Sequence, residues 1–183
     1  IHSYQRPDTF LVNLTLISNK SCIDSFSKNI IVFPMPISDF SVNNDSQCLR
    51  NNLFEFQNSS NIPSGSLSFN WNFGDNILDT SSNPSHNYIN FGNYSIQLIS
   101  TSDQNCQDTL TKPIKVHPMP QVDYLINDSN QCVNNQSFEF TDLSSIPEAT
   151  YNRVWDFGDN SNDTAQQNIH FYSLAGILNT KPY

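Results

Sequence analysis

The chain is poor in charge, and above all in positive charge. Only 14% of its 183 residues are charged, and 8 Lys plus Arg stand against 17 Asp plus Glu, for a net charge of −9. No basic stripe can be drawn along it, which excludes nucleic acid and anionic lipid as electrostatic partners. The acidic balance aids solubility and admits divalent cations. No run approaches the roughly 20 apolar residues of a membrane helix, so no membrane insertion is expected in this segment. The chain opens at Ile1 without a secretory leader, so we expect an excerpt from inside a longer protein. It contains no Cys-x-x-Cys pair, His-Glu-x-x-His pair, Gly-x-Ser-x-Gly elbow or phosphate loop. Zinc, serine-hydrolase and nucleotide chemistry therefore lack their usual residues. Helical periodicity is missing as well.

What is present is aromatic and polar-neutral. Phe, Tyr and Trp make up 12% of the residues, and the polar remainder is largely Asn, Ser, Gln and Thr. Such side chains compete with helical backbone bonds and favour turns and strands. Apolar residues alternate with polar ones at Leu67, Phe69, Trp71 and Phe73, at Phe10, Val12, Leu14 and Leu16, and at Tyr94, Ile96 and Leu98. That period of two marks half-buried strands.

The sequence also repeats itself without a gap at an offset of 84 residues. Pro34-Met35-Pro36 returns as Pro118-Met119-Pro120, and Gln47-Cys48 as Gln131-Cys132. Phe54-Glu55-Phe56 returns as Phe138-Glu139-Phe140, and Trp71-Asn72-Phe73-Gly74-Asp75-Asn76 as Trp155-Asp156-Phe157-Gly158-Asp159-Asn160. His2 and Tyr4 correspond to His86 and Tyr88, then to His170 and Tyr172. The unit exceeds a solenoid repeat and suits a small independent domain. We divide the chain into the back of one repeat (1–36), a complete repeat (37–120) and the front of a third (121–183). The Pro-Met-Pro joints favour stiff, extended connections. Short alternating strands between Asn, Ser, Gly and Pro turns predict an antiparallel sandwich, with Trp71 and Trp155 at its centre.

Three segments of the middle repeat carry a resemblance. They are Trp71 to Asn76, the Pro84-Ser85-His86-Asn87-Tyr88 stretch, and Gly92-Asn93-Tyr94-Ser95-Ile96-Gln97-Leu98. Together they resemble the hallmark of PKD (polycystic kidney disease) domains: an aromatic strand ending in a Gly-Asp turn, a Pro-x-His-x-Tyr segment and a Gly-x-Tyr-x-Val-x-Leu strand. The first copy has Pro7 and Asp8 in place of Phe91 and Gly92, and Asn168 replaces the proline in the third. The resemblance implies an all-β, immunoglobulin-like sandwich of about seven strands in tandem, with the first and third repeats incomplete. It assigns structural roles to Trp71, Phe73, Gly74, His86, Tyr88, Gly92 and Tyr94, and to Trp155, Phe157, Gly158, His170 and Tyr172. Pro182 aligns with Leu98, and proline suits no central strand. The third repeat is accordingly expected to lack its last two strands and to be the least ordered part.

Cys22 and Cys106 are equivalent, as are Cys48 and Cys132. One disulfide per complete repeat, most simply Cys48–Cys106, would place the protein in an oxidising compartment. An immunoglobulin topology puts those two loops at opposite ends, so free thiols and a kinked first strand are the alternatives. Asp75, Asn76 and Asp79, with Asp159, Asn160 and Asp163, offer hard oxygen ligands that could hold calcium. Gly at positive φ, with Asp or Asn bonded to local backbone amides in a tight turn, is the stronger reading of those turns. No other cofactor is expected. His86 and His170 read as sheet-corner packing in which His and Tyr bond backbone, and no paired carboxylates face a cleft. Tyr151 and Phe171 are candidates for a carbohydrate-binding face, with core packing the stronger reading for both. The expectation is therefore a non-catalytic stalk module displayed extracellularly on a bacterial surface. Its partners would be the neighbouring repeats and an extracellular protein or polysaccharide. The resemblance extends to large secreted Bacteroidetes proteins of the gliding-motility and type IX secretion kind. The rival is an accessory module of a secreted protease or chitinase that spaces or presents substrate.

Overall fold

Strands form wherever the period-two pattern runs, and each turn falls on a cluster of Asn, Ser, Gly or Pro. The structure is a computed structural model that describes residues 2–173. In chain order the strands begin with β1 (Asp8–Ile17) and β2 (Ile23–Val32). The middle repeat supplies β3 (Phe40–Val42), β4 (Ser46–Cys48), β5 (Phe54–Asn58), β6 (Leu67–Asn72), β7 (Leu78–Asp79), β8 (Ser85–His86), β9 (Gly92–Ser102) and β10 (Gln107–His117). The third repeat supplies β11 (Tyr124–Ile126), β12 (Phe138–Asp142), β13 (Trp155–Asp156), β14 (Asn162–Asp163) and β15 (Gln167–His170). The described residues contain no helix, and every registered strand pair is antiparallel. The protein is all-β, with the immunoglobulin-like sandwich architecture.

Contacts divide the chain into two compact units. One joins the residues up to 47 with 51–116, and the other joins 48–50 with those from 117 onward. In the first, a five-stranded sheet of order β4-β10-β9-β6-β7 faces a three-stranded sheet of order β3-β5-β8. Phe40, Phe54 and Phe56 from the small sheet meet Trp71, Phe73, Ile96, Leu98, Ile114 and Val116 from the large one, all buried. Phe40 lies edge-on to Trp71 at 5.1 Å, and Phe56 is tilted against Trp71 and Phe73 at 5.6 and 5.5 Å. Offset and edge-on rings of this kind add to the area they remove from water. The chain entering after Pro36 is held by a polar thread. Asp108 Oδ2 accepts the Ser38 amide at 2.7 Å, and the Ser38, Ser100 and Ser60 hydroxyls follow at 2.8 and 3.1 Å.

The β1–β2 hairpin has the same build as β9–β10, with the strand ends shifted by the repeat offset. Its turn repeats the bonds of the later one: Ser18 N–H donates to the Cys22 carbonyl at 2.9 Å, as Ser102 N–H donates to that of Cys106 at 2.9 Å. Its ring ladder recurs too, with Tyr4 stacked on Phe10 at 4.1 Å where Tyr88 stacks on Tyr94 at 3.9 Å. Burial does not recur. Among the described residues β1 and β2 pair only with each other, and Leu14 is 62% exposed where its equivalent Leu98 is fully buried.

The second unit holds a sheet of order β11-β12-β15 and the separate pair β13-β14. Phe140 and Phe157 are buried. Trp155 corrects the sequence reading, because it is only half-buried where Trp71 has no exposed surface. The reason lies in its strand. All six residues of β6 pair with β9, whereas β13 keeps two residues, paired with β14 alone among the described residues. The expected loss of the last two strands of this repeat falls beyond residue 173, outside the described residues.

The two tryptophans should respond differently to truncation. Trp71→Ala removes a fully enclosed ring and is expected to lose about 3–5 kcal/mol, enough to unfold a domain of ordinary stability. Trp155→Ala should lose markedly less, read by denaturant unfolding of each variant followed by circular dichroism. Equal losses would show that the two cores are equally closed.

Candidate functional site

The most densely bonded side chains lie at the end of β6 and recur at the end of β13. Each strand runs into a Gly-Asp-Asn turn. Gly74 and Gly158 have φ of +82° and +80°, and Asn76 and Asn160 have φ of 72° and 70°. Four left-handed positions explain the residue choice, because glycine and asparagine tolerate that region best. At Gly74 the demand is also spatial, since a Cβ would stand 3.1 Å from both the backbone N and O of Ser95.

The carboxylates of these turns bind local backbone. Asp75 Oδ1 accepts the Ile77 amide at 3.2 Å and Asp159 Oδ1 that of Ser161 at 3.0 Å. One step earlier, Asn72 and Asp156 accept the amides of Gly74 and Gly158, both at 2.9 Å. Asp79 Oδ1 caps Ser81 at 2.6 Å and Asp163 Oδ1 caps Ala165 at 2.7 Å. Of the residues considered for calcium, Asp75 and Asp79 accept amides of different turns, and Asn76 holds a positive φ. Among the described residues no group of three or more His, Cys, Asp or Glu is gathered as a metal would require.

The second oxygen of each turn aspartate reaches a histidine. His86 Nε2 donates to Asp75 Oδ2 at 2.7 Å, and His170 Nε2 to Asp159 Oδ2 at 2.8 Å. The sequence reading expected histidine to bond backbone; a carboxylate takes that place. The imidazoles stack flat on Phe73 and Phe157, at 4.3 and 4.2 Å, and meet Tyr88 and Tyr172 edge-on at 4.6 Å each. The tyrosine hydroxyls close the ring by donating to the Phe73 and Phe157 carbonyls at 2.7 and 2.8 Å. Burial first, then the charge of Asp75, pushes the Tyr88 phenol up and keeps it a neutral donor. In the third repeat the hydroxyl and amide of Ser161, then His170, hold Asp159 down at about 2. Tyr94 donates to the Asn90 carbonyl from β9, which Gly92 begins, and the indole N–H groups of Trp71 and Trp155 donate to the Ser81 and Ala165 carbonyls at 3.0 and 2.8 Å.

Sequence reasoning missed the amide clamps behind this network. Asn52 is buried, takes the Tyr88 amide at 2.7 Å and donates to its carbonyl at 2.9 Å. Gln136 does the same for Tyr172, accepting its amide at 2.9 Å and donating to its carbonyl. The signal was an amide side chain at both positions of the 84-residue offset. Gln47 and Gln131 form a second clamp, accepting the amides of Leu53 and Ser137 at 2.9 and 2.6 Å. Tyr151 is half-buried and donates to Asp142 and to the Ser144 carbonyl, at 3.0 and 2.6 Å. Phe171 is exposed.

The Cys48–Cys106 bridge is not formed; Cys22, Cys48, Cys106 and Cys132 are all free thiols. β4 lies against the far end of β10, where Lys115 N–H donates to the Asp45 carbonyl at 2.8 Å. Cys106 immediately precedes the near end of β10, about 30 Å away along the strand. The three residues from Asp45 to Cys48 span at most about 11 Å, so the two Cα atoms stay far beyond the roughly 7 Å limit for a disulfide. The thiols consequently give no argument about compartment. Two open depressions in the first unit, of about 190 and 530 Å³, are lined by Ser64, Ser102 and Asp103 and by Ser41, Glu55 and Ser85 among others. No histidine lines either one.

Residues 35–118 match the family model of the PKD domain. Among solved structures, the chain is similar to the PKD1 domain of Vibrio anguillarum Epp, with 26% identity, 45% of this chain and 93% of that one covered, and a TM-score of 0.40. It is also similar to the PKD1 domain from the Vibrio cholerae metalloprotease PrtV, with 28% identity, 46% and 98% covered, and a TM-score of 0.37. A structure of carbohydrate-binding modules from the β-sandwich superfamily matches at 19% identity, with 60% of this chain and 54% of that one covered and a TM-score of 0.39.

Two outcomes follow from the network. Tyr88→Phe leaves the buried Phe73 carbonyl without its donor and should lose about 1–3 kcal/mol, while Tyr172→Phe, on a half-buried ring, should lose less in the same denaturant titration. Acid should act on the third repeat through Asp159. Its folded carboxyl titrates at about 2, below the roughly 3.9 of an unfolded aspartate. Its contribution is thus present above about pH 4 and fades between pH 4 and 2. Thermal unfolding over that range should flatten in Asp159→Asn, and an unchanged slope would remove Asp159 from the acid response.

Proposed function

We propose that this chain is a non-catalytic extracellular module, serving as a structural and adhesive stalk element of a bacterial surface protein. One observation carries the reading. The side chains that sequence alone would offer for chemistry are duplicated at an 84-residue offset and hold equivalent partners in both copies. Each aspartate bonds an amide and a histidine, each histidine lies flat on a phenylalanine, and each tyrosine bonds a carbonyl. Such groups position turns. A reacting group needs an open face toward substrate and a partner to exchange protons with.

The match of residues 35–118 to the PKD domain family supports an accessory or binding role and an extracellular setting. The Gly-Asp-Asn turns and the Pro-Met-Pro joints supply stiffness, and tandem copies multiply weak contacts through effective concentration. The proposed partners are neighbouring repeats and a surface polysaccharide or protein. The finer assignment, a secreted Bacteroidetes protein of the type IX secretion kind, rests on the sequence resemblance. Calcium enters this reading only as a stabiliser of turns.

The test is binding and turnover together. The purified chain, displayed singly and in multivalent form, is applied to a glycan array, extracellular-matrix proteins, insoluble chitin and casein, alongside protease, esterase and glycosidase substrates. Weak binding that rises steeply with valency and no turnover is expected. Selective retention on chitin or casein would move the protein to the accessory role beside a hydrolase. Turnover abolished by a single substitution in the chain would overturn the non-catalytic reading.

A further inference from the structure

The groups that hold the turns recur at the 84-residue offset, and one polar set of the middle repeat does not. The outward face of its small sheet, across β3, β5 and β8, carries the open depression of about 530 Å³. That volume lies within the roughly 300–1,000 Å³ of small-ligand sites. Register puts Ser41 beside Gln57 and Ser85 beside Glu55. The small serines on the flanking strands leave a trough over β5, about 10 Å across at two strand spacings. All four side chains are exposed. Asn83 closes one end, its Oδ1 accepting the Asn58 amide at 2.9 Å and Gln57 Nε2 at 3.2 Å. Both amides are thereby fixed, with Gln57 Oε1 and Asn83 Nδ2 left for another partner. The Ser41 and Ser85 hydroxyls bond nothing among the described residues. In the third repeat Leu125, Thr141 and Ile169 stand at the positions of Ser41, Gln57 and Ser85. The framework beneath is retained: Asn43 Oδ1 accepts the Glu55 amide at 3.2 Å, and Asn127 Oδ1 that of Glu139 at 3.0 Å. The same three-stranded arrangement forms with either set, so the strands do not require Ser41, Gln57 and Ser85.

We propose that this depression is a binding subsite for an amino sugar of an extracellular glycan. Glu55 receives the ammonium group, and Ser41, Gln57, Asn83 and Ser85 receive the ring hydroxyls. Glu55 is the one charged side chain among the described lining residues. Its only side-chain partner there is Asn43 Nδ2, a long contact of 3.5 Å to Oε2, which leaves the carboxylate able to take a cation. A sugar hydroxyl both donates and accepts, which suits the serine hydroxyls, the Gln57 carbonyl oxygen and the Asn83 amide nitrogen together. A peptide lysine would satisfy Glu55 and leave those neutral groups unmatched. Extended peptides also seek a sheet edge or an apolar groove, whereas this trough lies on a sheet face, with Phe56 turned inward and buried. Acidic glycans are opposed by Glu55 and by the net charge of −9. No exposed aromatic ring lines the trough, so a single contact is weak and retention comes from valency. The subsite rests on the adhesive reading of the chain and gives it a location.

The experiment is an amide NMR titration of the isotope-labelled 183-residue chain with three probes: a glucosamine tetramer, its N-acetylated counterpart and tetralysine. The glucosamine tetramer is expected to shift amide signals of β3, β5 and β8 and to bind more tightly than the other two. Glu55→Gln should weaken it about tenfold, the loss of one charged hydrogen bond, and leave the acetylated tetramer unchanged. Ser41→Leu with Ser85→Ile installs the residues that the third repeat carries at these positions, so the fold should persist while binding falls by a similar factor. Undiminished binding by that double variant overturns the proposal. So does tetralysine binding more tightly than the sugar, which would reduce the site to the charge of Glu55. An absence of shifts at millimolar sugar also overturns it; the adhesive reading then survives if the chain is retained elsewhere on the glycan array, and falls if it is retained nowhere.

Discussion

The long hairpin that closes the sandwich is the constraint on which the rest depends. A small sheet carrying Phe40, Phe54 and Phe56 cannot shield its aromatic face alone, and neither can the strand that carries Trp71. The β9–β10 pair supplies two things at once. Its backbone satisfies the open edge of β6, and its alternating Ile96, Leu98, Ile114 and Val116 remove the ring faces from water. Where that pair is present the tryptophan is sealed. Beside β13, where none is described, the strand shortens to two residues and Trp155 stays half-exposed.

The turn network is the second tier, and it depends on the first. Only glycine fits at position 74, because the backbone of Ser95, on β9, passes so close that a Cβ would crowd it. The turn then presents Asp75 to His86, and Phe73 offers a flat surface for the imidazole. Asn52 holds Tyr88 by both its amide and its carbonyl, so the phenol meets the Phe73 carbonyl. Each polar group is answered by a neighbour fixed by the sheet, which is why the same set can recur an entire repeat away. A network so fully occupied rigidifies a corner and offers little to a substrate.

Much of the fold was legible because its two signals are local. Alternation at Leu67, Phe69, Trp71 and Phe73 has one physical reading, a strand with one face in a core. The offset of 84 residues transfers that reading from copy to copy. The site was legible in part. Gly-Asp-Asn reads as a left-handed turn, but which carboxylate oxygen takes an amide and which takes a histidine depends on strands that meet from distant parts of the chain. The Asn52 and Gln136 clamps were visible only as a coincidence of amide side chains. The disulfide was misjudged because equivalence between repeats says that two cysteines recur, not that they approach; β10 runs its whole length between the end where β4 pairs and Cys106.

By itself the sequence determined the strands, the repeat length, the turn chemistry and the aromatic content of the core, because each follows from period, backbone angle and side-chain size. Tertiary structure alone decided which faces are covered. Leu14 and Leu98 occupy the same position in the same pattern, yet one is in water and the other sealed. Burial belongs to the partner strand as much as to the residue, and pairing between strands distant in the chain is not written in either strand.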